Sequence, residues 1–377
     1  MRALIDARPA LDPRRTGVGV VTDRLLRHLP AADTEGRYGA WYLHARGLLR
    51  PRRFYADVDG LREFPTRIPA RVFGPLSSRI GWPRVDAPAE VFLATNFLAP
   101  PLRSDTRPVL LVHDLAFLRH PETAPHMHDR WRRRFRDQLG EAGAIIVPSA
   151  ATREDLLAAE DVDADLVVVV PLATDPFVAP SAGEVDAARR RFGIGGEYAL
   201  FVGGLEPRKN LVALIEAFAN VEDGWLVLAG GEVPWFPDAA ARVDAAIAGS
   251  PARVRARIVR TGYVTDADRR ALLAGAAFVA YPSLAEGFGL PVLEGFAAGV
   301  PVLTSDVSSL PEVAGDAALL VHPDAASIAT GMAELFGDPA RRGALAAAGR
   351  ERVRGFTWDR TAAGTAAVLH RAAGDPG

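Results

Sequence analysis

The chain contains no cysteine, and only one of its 44 basic residues is a lysine, Lys209. Without cysteine it can form neither disulfides nor thiolate sites, which is typical of a cytosolic enzyme. No apolar run reaches the roughly 18–20 residues of a membrane-spanning helix, and the opening MRALIDARP is too short and too soon charged for a signal peptide. A net charge of −2 offers no general attraction for nucleic acid. We therefore expect a cytoplasmic protein that does not bind nucleic acid.

The length of the chain indicates two domains. A chain of 377 residues is too long for one ordinary core and suits two domains of about 150–200 residues. The segment PLATDPFVAP, residues 171–180, has the composition of a linker between them. We expect a first domain at residues 1–175, a second at residues 176–355, and a last helix at about residues 356–377 that packs back on the first.

The second half of the chain alternates short apolar strands with helical segments. This βα repetition predicts a parallel sheet with helices on both faces, an α/β architecture. The predicted strands are residues 199–202, 225–229, 257–260, 277–281, 302–305 and 318–321.

The first half is less regular. Apolar strands are expected at residues 3–7, 91–94, 109–112 and 144–147. The sequence TGVG, Thr16–Gly19, follows the first strand and leads into a helix, so Gly17 and Gly19 form either a loop for a phosphate or sugar or only a tight turn. We assign no secondary structure to residues 46–85, which are rich in arginine, proline and aromatics.

Two further features of the first half suit a ligand or a partner. His113 and Asp114 follow the 109–112 strand at its carboxyl end, where open α/β sheets bind ligands, although a histidine there can simply fix a loop. Residues 126–139 form a predicted helix with five arginines around one apolar stripe. A solvated helix with one packed face explains this pattern, and the alternative is a basic face for an anionic membrane or a phosphorylated acceptor.

The stretch Ser283–Val302, SLAEGFGLPVLEGFAAGVPV, carries the most specific pattern. It follows a short strand and begins a helix near Pro291, with Glu286 and Glu294 eight positions apart. We place Glu286 in the loop and Glu294 in the first helical turn, beside free N–H groups that form an anion site. A carboxylate in a first turn also stabilises the helix dipole, so a capping role alone is the alternative for Glu294.

A second candidate anion site is GGLEPRKNL, residues 203–211. It follows the first strand of the second domain and brings glycine backbone, Arg208 and Lys209 to a helix start, which suits a diphosphate. A lysine in a chain that otherwise uses arginine indicates a compact point charge rather than a planar fork. The alternative is an exposed cation at a loop–helix junction.

Together, SLAEGFGLPVLE, the G-x-P-V that follows it and EPRKN resemble the E-x7-E signature of retaining glycosyltransferases of family 4, also called group 1. The resemblance covers the whole second domain and parts of the first, through TGVG, VHDL and VPSAATREDLL. It implies the GT-B fold: two Rossmann-like, doubly wound α/β domains facing across a cleft, with the acceptor on the first and the nucleotide-sugar donor on the second. Within the family, the chain is most similar to mannosyl- or rhamnosyl-type enzymes of polysaccharide or natural-product assembly.

The resemblance also implies roles for single residues. Glu286 would contact the donor sugar and Glu294 the ribose, while Lys209 and Arg208 would face the leaving diphosphate and His113 would lie near the sugar. The remaining donor-binding candidates are Gly17, Gly19, Gly203, Gly204, Val264, Phe288, Gly289 and Leu290.

The sequence departs from the family pattern at one place. Family members usually carry an arginine five or six residues before the lysine, where this chain has Gly204 and Gly203. We expect Arg208 to supply the second positive charge instead.

The implied reaction needs no cofactor and no metal, because Lys209, Arg208 and helix N–H groups would stabilise the charge that develops on the leaving phosphate. A double displacement through a carboxylate nucleophile would retain the anomeric configuration, but the resemblance favours attack from the leaving-group face. Two D-x-D matches, Asp57–Asp59 and Asp161–Asp163, lack a nucleotide loop, and we treat them as chance.

We therefore expect metal-independent, retaining transfer of a mannose- or rhamnose-like hexose to a hydroxyl of a saccharide, lipid-linked or natural-product acceptor. A GDP-sugar is favoured as the donor, with UDP- or dTDP-sugars as alternatives. Two other functions fit the residues: a sugar-nucleotide epimerase of the same architecture, and a non-catalytic sugar-nucleotide-binding protein. The protein would be cytoplasmic, with peripheral contact to the inner face of the membrane as an alternative.

Overall fold

The computed structural model describes residues 1–12, 16–44, 53–119 and 129–374. The first half of the chain forms a seven-stranded sheet from β1 (Arg2–Asp6), β2 (Arg37–Leu43), β3 (Leu61–Thr66), β4 (Val91–Ala94), β5 (Arg107–Leu111), β6 (Ala144–Val147) and β7 (Val167–Val169). All strands pair in parallel, in the order β3-β2-β1-β4-β5-β6-β7. The order reverses between β1 and β4, and in open α/β sheets a ligand crevice lies at the carboxyl ends of such strands.

The central strands of this sheet are apolar along their whole length. VFLA in β4 and AIIV in β6 are completely buried. Strands covered by helices on both faces read as such continuous apolar runs. The helices of this half are α1 (Gly17–Ala32), α2 (Ala70–Ile80), α3 (Ala116–Arg119), α4 (Asp129–Glu141) and α5 (Ala150–Ala159).

The second half forms a six-stranded parallel sheet. Its strands are β8 (Tyr198–Val202), β9 (Trp225–Ala229), β10 (Ile258–Gly262), β11 (Phe278–Tyr281), β12 (Val302–Ser305) and β13 (Leu319–Val321). They pair in the order β10-β9-β8-β11-β12-β13, so the order reverses between β8 and β11. The helices of this half are α6 (Ala182–Arg191), α7 (Leu211–Phe218), α8 (Pro237–Gly249), α9 (Ala252–Arg255), α10 (Asp266–Ala274), α11 (Leu290–Ala298), α12 (Leu310–Ala314), α13 (Ala325–Gly337), α14 (Pro339–Val353) and α15 (Trp358–Ala373).

The last helix packs on the first sheet. α15 contacts α1 and the three strands β4, β5 and β6. Two histidine–carboxylate contacts fasten it: His28 Nδ1 lies 2.9 Å from Asp359 Oδ1, and His370 Nε2 lies 2.8 Å from Asp33 Oδ2.

The chain divides into two compact units, each built on one of the sheets. Apart from Ala116–Arg119, which groups with the second unit, it passes from the first unit to the second between Leu172 and Ala173 and returns between Phe356 and Thr357. The predicted fold class, two parallel Rossmann-like α/β sheets, is confirmed, and the strands predicted for the second half agree with the structure to within two residues. Among the described residues, no helix combines the length and the apolar character needed to cross a bilayer.

The description of residues 46–85 as irregular is wrong for the part that the structure describes, and β2 before them was also missed. β3 is an edge strand that contains Pro65 and lacks a fully buried face. α2 contains Gly74 and Pro75 in its interior, which weaken any helical signal. β2 contains Gly39, which is required because a Cβ there would lie 2.6 Å from the ring of Phe64. Each element forms through packing that local propensity does not reveal.

Candidate active site

The candidate residues of the second unit meet at the carboxyl ends of β8 and β11. These neighbouring strands lie where the strand order reverses, the position at which open α/β sheets bind ligands. Arg208 and Lys209 lie in a 3₁₀ turn, Pro207–Lys209, after β8, and Glu286 lies in the loop after β11. The N–H of Leu284 donates to the carbonyl oxygen of Arg208 at 2.8 Å, which joins the two loops.

Glu286 is the centre of a buried ion network. Lys209 Nζ lies 2.5 Å from Oε1, and Arg208 Nη1 donates to Oε2 at 2.7 Å. The hydroxyl of Tyr281 donates to Oε1 at 2.7 Å and also contacts Lys209 Nζ. Only 7% of Lys209 and 7% of Glu286 are exposed, so the interpretation of Lys209 as an exposed loop cation is wrong. The hydroxyl of Tyr281 links the lysine to the carboxylate, a role that its position at the end of a predicted strand did not reveal.

The network fixes the charge of each member. Burial alone would raise the pKa of Glu286, but the charges of Arg208 and Lys209 lower that pKa from 4.5 to about 2. Burial and the neighbouring Arg208 lower the pKa of Lys209, and burial raises the pKa of Tyr281. At neutral pH the carboxyl group is therefore ionised. In that state it accepts hydrogen bonds and orients a partner, but it does not donate a proton.

Arg208 supplies a second positive charge beside Glu286, as expected from the sequence. Its Nε donates to Glu206 Oε2 at 2.8 Å, which holds the guanidinium beside Glu286. Position 204 has no room for a side chain, because a Cβ on Gly204 would lie 2.7 Å from Cγ2 of Val233. The second positive charge at Glu286 thus comes from the turn that also carries the lysine.

Two serines hold the backbone of Glu286, and the sequence analysis missed both. Ser308 Oγ donates to the carbonyl oxygen of Glu286 at 2.5 Å and accepts from its N–H at 3.1 Å. Ser309 Oγ donates to the same carbonyl oxygen at 2.9 Å. Ser308 has a φ of 59°, a left-handed conformation that is uncommon outside glycine. The only sequence signal was the serine pair ahead of α12, which is equally typical of a helix start.

The loop between Glu286 and α11 has the predicted shape. Gly289 adopts a φ of 104° as the residue before the helix, and Pro291 lies in the first turn behind Leu290. A Cβ on Gly289 would lie 2.8 Å from Cδ2 of Leu310, so glycine is required for space as well as conformation. Phe288 is buried, with its ring edge-on to Phe356 at 5.8 Å. The N–H groups at the start of α11 therefore follow a tightly packed loop.

Glu294 lies one position beyond the first turn of α11, so its predicted placement in that turn and the capping alternative are both wrong. The helix begins at Leu290, one residue earlier than the proline signal suggested. Glu294 Oε1 lies 2.8 Å from Arg269 Nη1, a partner that the sequence analysis did not identify. Burial raises the pKa of Glu294, and Arg269 opposes this shift. Side chains on a helix tilt toward its N-terminus, so the carboxylate extends back toward the loop.

Two further candidates border the same edge of the sheet. Gly203 directly follows β8, and its N–H donates to the carbonyl oxygen of Ala229 at the end of β9 at 3.0 Å. Val264 follows β10 and is half-buried. Between them, Gly230 packs so closely that a Cβ on it would lie 1.7 Å from the carbonyl oxygen of Gly203. The adjacent strand ends β8, β9 and β10 are thus joined through glycine backbone.

Three candidates belong to the first unit. Gly17 and Gly19 lie within the first turn of α1 and not in a loop before it, which corrects the prediction. Glycine is needed at position 19 because the helix packs closely on the preceding segment: a Cβ on Gly19 would lie 2.6 Å from the carbonyl oxygen of Pro9. His113 Nε2 lies 2.7 Å from the carbonyl oxygen of Thr95, so this nitrogen carries the proton. Burial lowers the pKa of His113, which keeps the imidazole neutral at neutral pH.

Comparison with known proteins finds a matching family, relatives in sequence and neighbours in structure. Residues 196–338 match the family described as Glycosyl transferases group 1. The chain is 30% identical over 290 residues to the O-antigen chain mannosyltransferase B of Escherichia coli, covering 74% of each chain. It is 29% identical over 266 residues to the serotype-specific mannosyltransferase WbdA of Escherichia coli, covering 67% of this chain but 32% of that protein. Among solved structures, the sucrose-phosphate synthase from Thermosynechococcus elongatus superposes with a TM-score of 0.73 at 20% identity, covering 97% of both chains.

We predict that Tyr281→Phe destabilises the protein in a pH-dependent way. The change removes a hydrogen bond to an ionised carboxylate, worth about 1.5–3 kcal/mol, and raises the pKa of Glu286, which this hydroxyl helps to lower. A carboxyl group with a depressed folded-state pKa stabilises the fold above its ordinary value of 4.5, and that stabilisation is lost as the pH falls toward 2. The stability deficit of the variant should therefore shrink as the pH falls below about 4.

Urea unfolding across this pH range measures the effect. Tyr198→Phe is the matched control, because that buried hydroxyl donates to the neutral carbonyl of Leu272 at 2.6 Å. Its deficit should stay constant with pH. A Tyr281→Phe deficit that is equally constant would contradict the proposed coupling to Glu286.

Proposed function

This chain belongs to the glycosyl transferases of group 1 and has the GT-B fold, and we propose that it is a retaining, metal-independent enzyme of family 4. It transfers a mannose- or rhamnose-like hexose from a nucleotide-diphosphate sugar, with a GDP-sugar favoured over UDP- or dTDP-sugars, to a hydroxyl of a saccharide acceptor. The observation that carries the proposal is the buried network of Glu286, Lys209 and Arg208 at the point where the strand order of the second sheet reverses.

The names of the relatives support the choice of sugar and acceptor. Both Escherichia coli relatives are mannosyltransferases, and one is described as acting on the O-antigen chain. We therefore favour mannose as the transferred sugar and a growing polysaccharide as the acceptor.

Lys209 and Arg208 suit the stabilisation of a leaving diphosphate. The Lys209 ammonium carries three protons, and among the residues that the structure describes it has two hydrogen-bond partners, Glu286 and Tyr281. The third proton is available for a phosphate oxygen. As the sugar–phosphate bond breaks, its electron pair moves to the phosphate, and a cation already fixed at that position lowers the barrier without reorganising.

Attack from the leaving-group face completes a balanced reaction. The acceptor oxygen bonds to the anomeric carbon on the side from which the phosphate departs, and the acceptor proton passes to a phosphate oxygen. Glu286 is ionised, and each of its oxygens is held by a cation. Such a carboxylate is a weak nucleophile, which disfavours a double displacement, and its role is to orient the sugar hydroxyls. The product keeps the anomeric configuration of the donor.

Glu294 suits the ribose of the nucleotide. A carboxylate accepts hydrogen bonds from two neighbouring hydroxyl groups, and Arg269 supports its ionised form against the effect of burial. The ribose does not change during the reaction, so this contact contributes equally to the bound donor and to the transition state.

We predict that the purified protein transfers mannose from GDP-mannose to an oligosaccharide acceptor, and that excess EDTA leaves the rate unchanged. The two protein cations would supply the charge that a divalent ion supplies in other transferases. Turnover with GDP-, UDP- and dTDP-sugars, with NMR of the anomeric proton in the product, measures donor choice and stereochemistry together.

The same assay can contradict each part of the proposal separately. An inverted product would overturn retention, and loss of activity in EDTA that magnesium or manganese restores would overturn metal independence. An isomerised sugar nucleotide from the donor alone would identify an epimerase. Donor binding without turnover on any acceptor would favour a non-catalytic protein.

We predict that the two glutamates affect different kinetic constants. Glu294→Gln should mainly raise the donor KM, because it removes binding shared by the ground and transition states. Glu286→Gln should mainly lower kcat, because the sugar gains positive charge as it reacts. Donor-saturation kinetics on both variants would decide this, with the exposed Glu222→Gln as a control that changes neither constant.

The stability of each variant must also be measured, because Glu286→Gln removes the carboxylate that pairs with the buried Lys209 and with Arg208. Loss of one partner from such a pair costs about 3–5 kcal/mol, so rates are compared per folded molecule. The assignment of the two carboxylates is reversed if Glu294→Gln abolishes kcat while Glu286→Gln changes KM alone.

A further inference from the structure

The first unit has an exposed apolar surface that no step of the proposed reaction uses. Val72 is 42% exposed, Ile80 is 66% exposed and Trp82 is 59% exposed. They make up three of the six large apolar side chains that are exposed in the part of the chain that the structure describes, and they lie close together in sequence. A cluster of this kind is typical of an interaction site.

Val72 and Ile80 are presented by α2, a helix that is anchored from its other side, and Trp82 follows two residues after the helix ends. Phe73 is 1% exposed, and its ring centroid lies 5.6 Å from that of Trp41 in the first sheet. Val72 and Ile80 lie two turns apart on α2, with the half-buried Leu76 between them at the i+4 position. The outward side chains therefore keep fixed positions, and the core does not need them.

The segment of chain that carries this cluster has charge of one sign. Residues 64–85 contain no aspartate and no glutamate. Arg67, Arg71 and Arg84 are exposed, and within the described residues none of them forms an ion pair. We call these three arginines, together with Val72, Ile80 and Trp82, the α2 surface.

Two acids close to Trp82 are paired with an arginine outside the α2 surface. Asp86 and Asp105 lie close to Trp82, and Arg103 holds both, at 3.3 Å and 3.0 Å. Within the described residues, neither forms an ion pair with an arginine of the α2 surface.

We propose that the α2 surface docks the protein on an anionic lipid bilayer. Exposed aliphatic and tryptophan side chains enter the boundary between headgroups and acyl chains, while arginines beside them contact lipid phosphates. Each arginine near an anionic bilayer strengthens binding about fivefold. An exposed apolar patch with three arginines beside it, unpaired among the described residues, matches such a surface in both polarity and charge. The proposal does not depend on which sugar is transferred.

The arginine-rich helix α4 is less suited to this role, although the sequence analysis named it as the alternative membrane face. Arg134 donates inward to the carbonyl oxygen of Ala99 at 3.1 Å, and Arg136 pairs with Glu160 at 2.7 Å. Phe135 and Leu139 point into the core. α4 thus exposes no large apolar side chain beside its charges.

Vesicle sedimentation of the full chain tests the proposal. We expect binding to vesicles of phosphatidylglycerol and phosphatidylcholine, no binding to phosphatidylcholine alone, and at least a tenfold loss between about 50 mM and 500 mM salt, where charge attraction is screened. The triple variant Val72→Ser, Ile80→Ser, Trp82→Ser should lose at least about tenfold in affinity. Replacing Arg67, Arg71 and Arg84 by glutamine should cost on the order of 10²-fold.

The chain offers a matched control in the other three exposed apolar side chains, Val178, Trp235 and Tyr263. Their serine variant should bind vesicles as the native chain does, and unfolding temperatures should confirm that both triple variants are folded. Absence of binding at low salt would overturn the proposal. It would also be overturned if replacing Arg130 and Arg133 of α4 by glutamine abolished binding. A third contrary result would be that the serine variant of the α2 surface dissociates an oligomer of the protein in solution.

Discussion

The buried, ionised carboxylate of Glu286 is the constraint on which the site in the second unit depends. Moving such a group out of water costs several kcal/mol unless cations and hydrogen-bond donors surround it. The fold meets this requirement from three places: the turn after β8 brings Arg208 and Lys209, β11 brings Tyr281, and the loop after β12 brings the serines that hold the backbone. Three strand ends are therefore locked together around one side chain.

This arrangement explains how the site suits sugar transfer from a diphosphate. Electrostatic catalysis requires charges that are in place before the reaction begins, and charges on loops hold their positions only when neighbouring groups support them. Lys209 and Arg208 gain that support from Glu286, and Glu286 gains its low pKa from them. In the proposed reaction, the same carboxylate positions the cations for the leaving group and faces the sugar as an anion. A neutral residue in its place would remove the paired carboxylate of Lys209 and leave Arg208 to Glu206.

The sequence predicted the parts of the fold and site that rest on local patterns. Apolar runs identified the buried strands, Gly289 and Pro291 marked the start of α11, and the long motif around Glu286 and Glu294 pointed to the family. Elements that depend on distant packing were missed, such as β2 with its glycine against Phe64 and α2 with an internal proline. Tyr281, Ser308 and Arg269 were missed for the same reason, because their partners are brought to them by the sheet and not by sequence spacing. The burial of Lys209 could not be read from its position in a polar turn.

A double-mutant cycle between Lys209 and Glu286 tests the central claim most directly. We would compare the kcat of the native chain with that of three variants: Lys209→Met, Glu286→Gln and the double variant. Each value is corrected for the fraction of protein that is folded. If the two residues act as one unit, each single change lowers kcat by about 10²-fold or more, and the double variant is no slower than the worse single one. Losses that multiply in the double variant would mean that lysine and glutamate act independently, and would contradict the account.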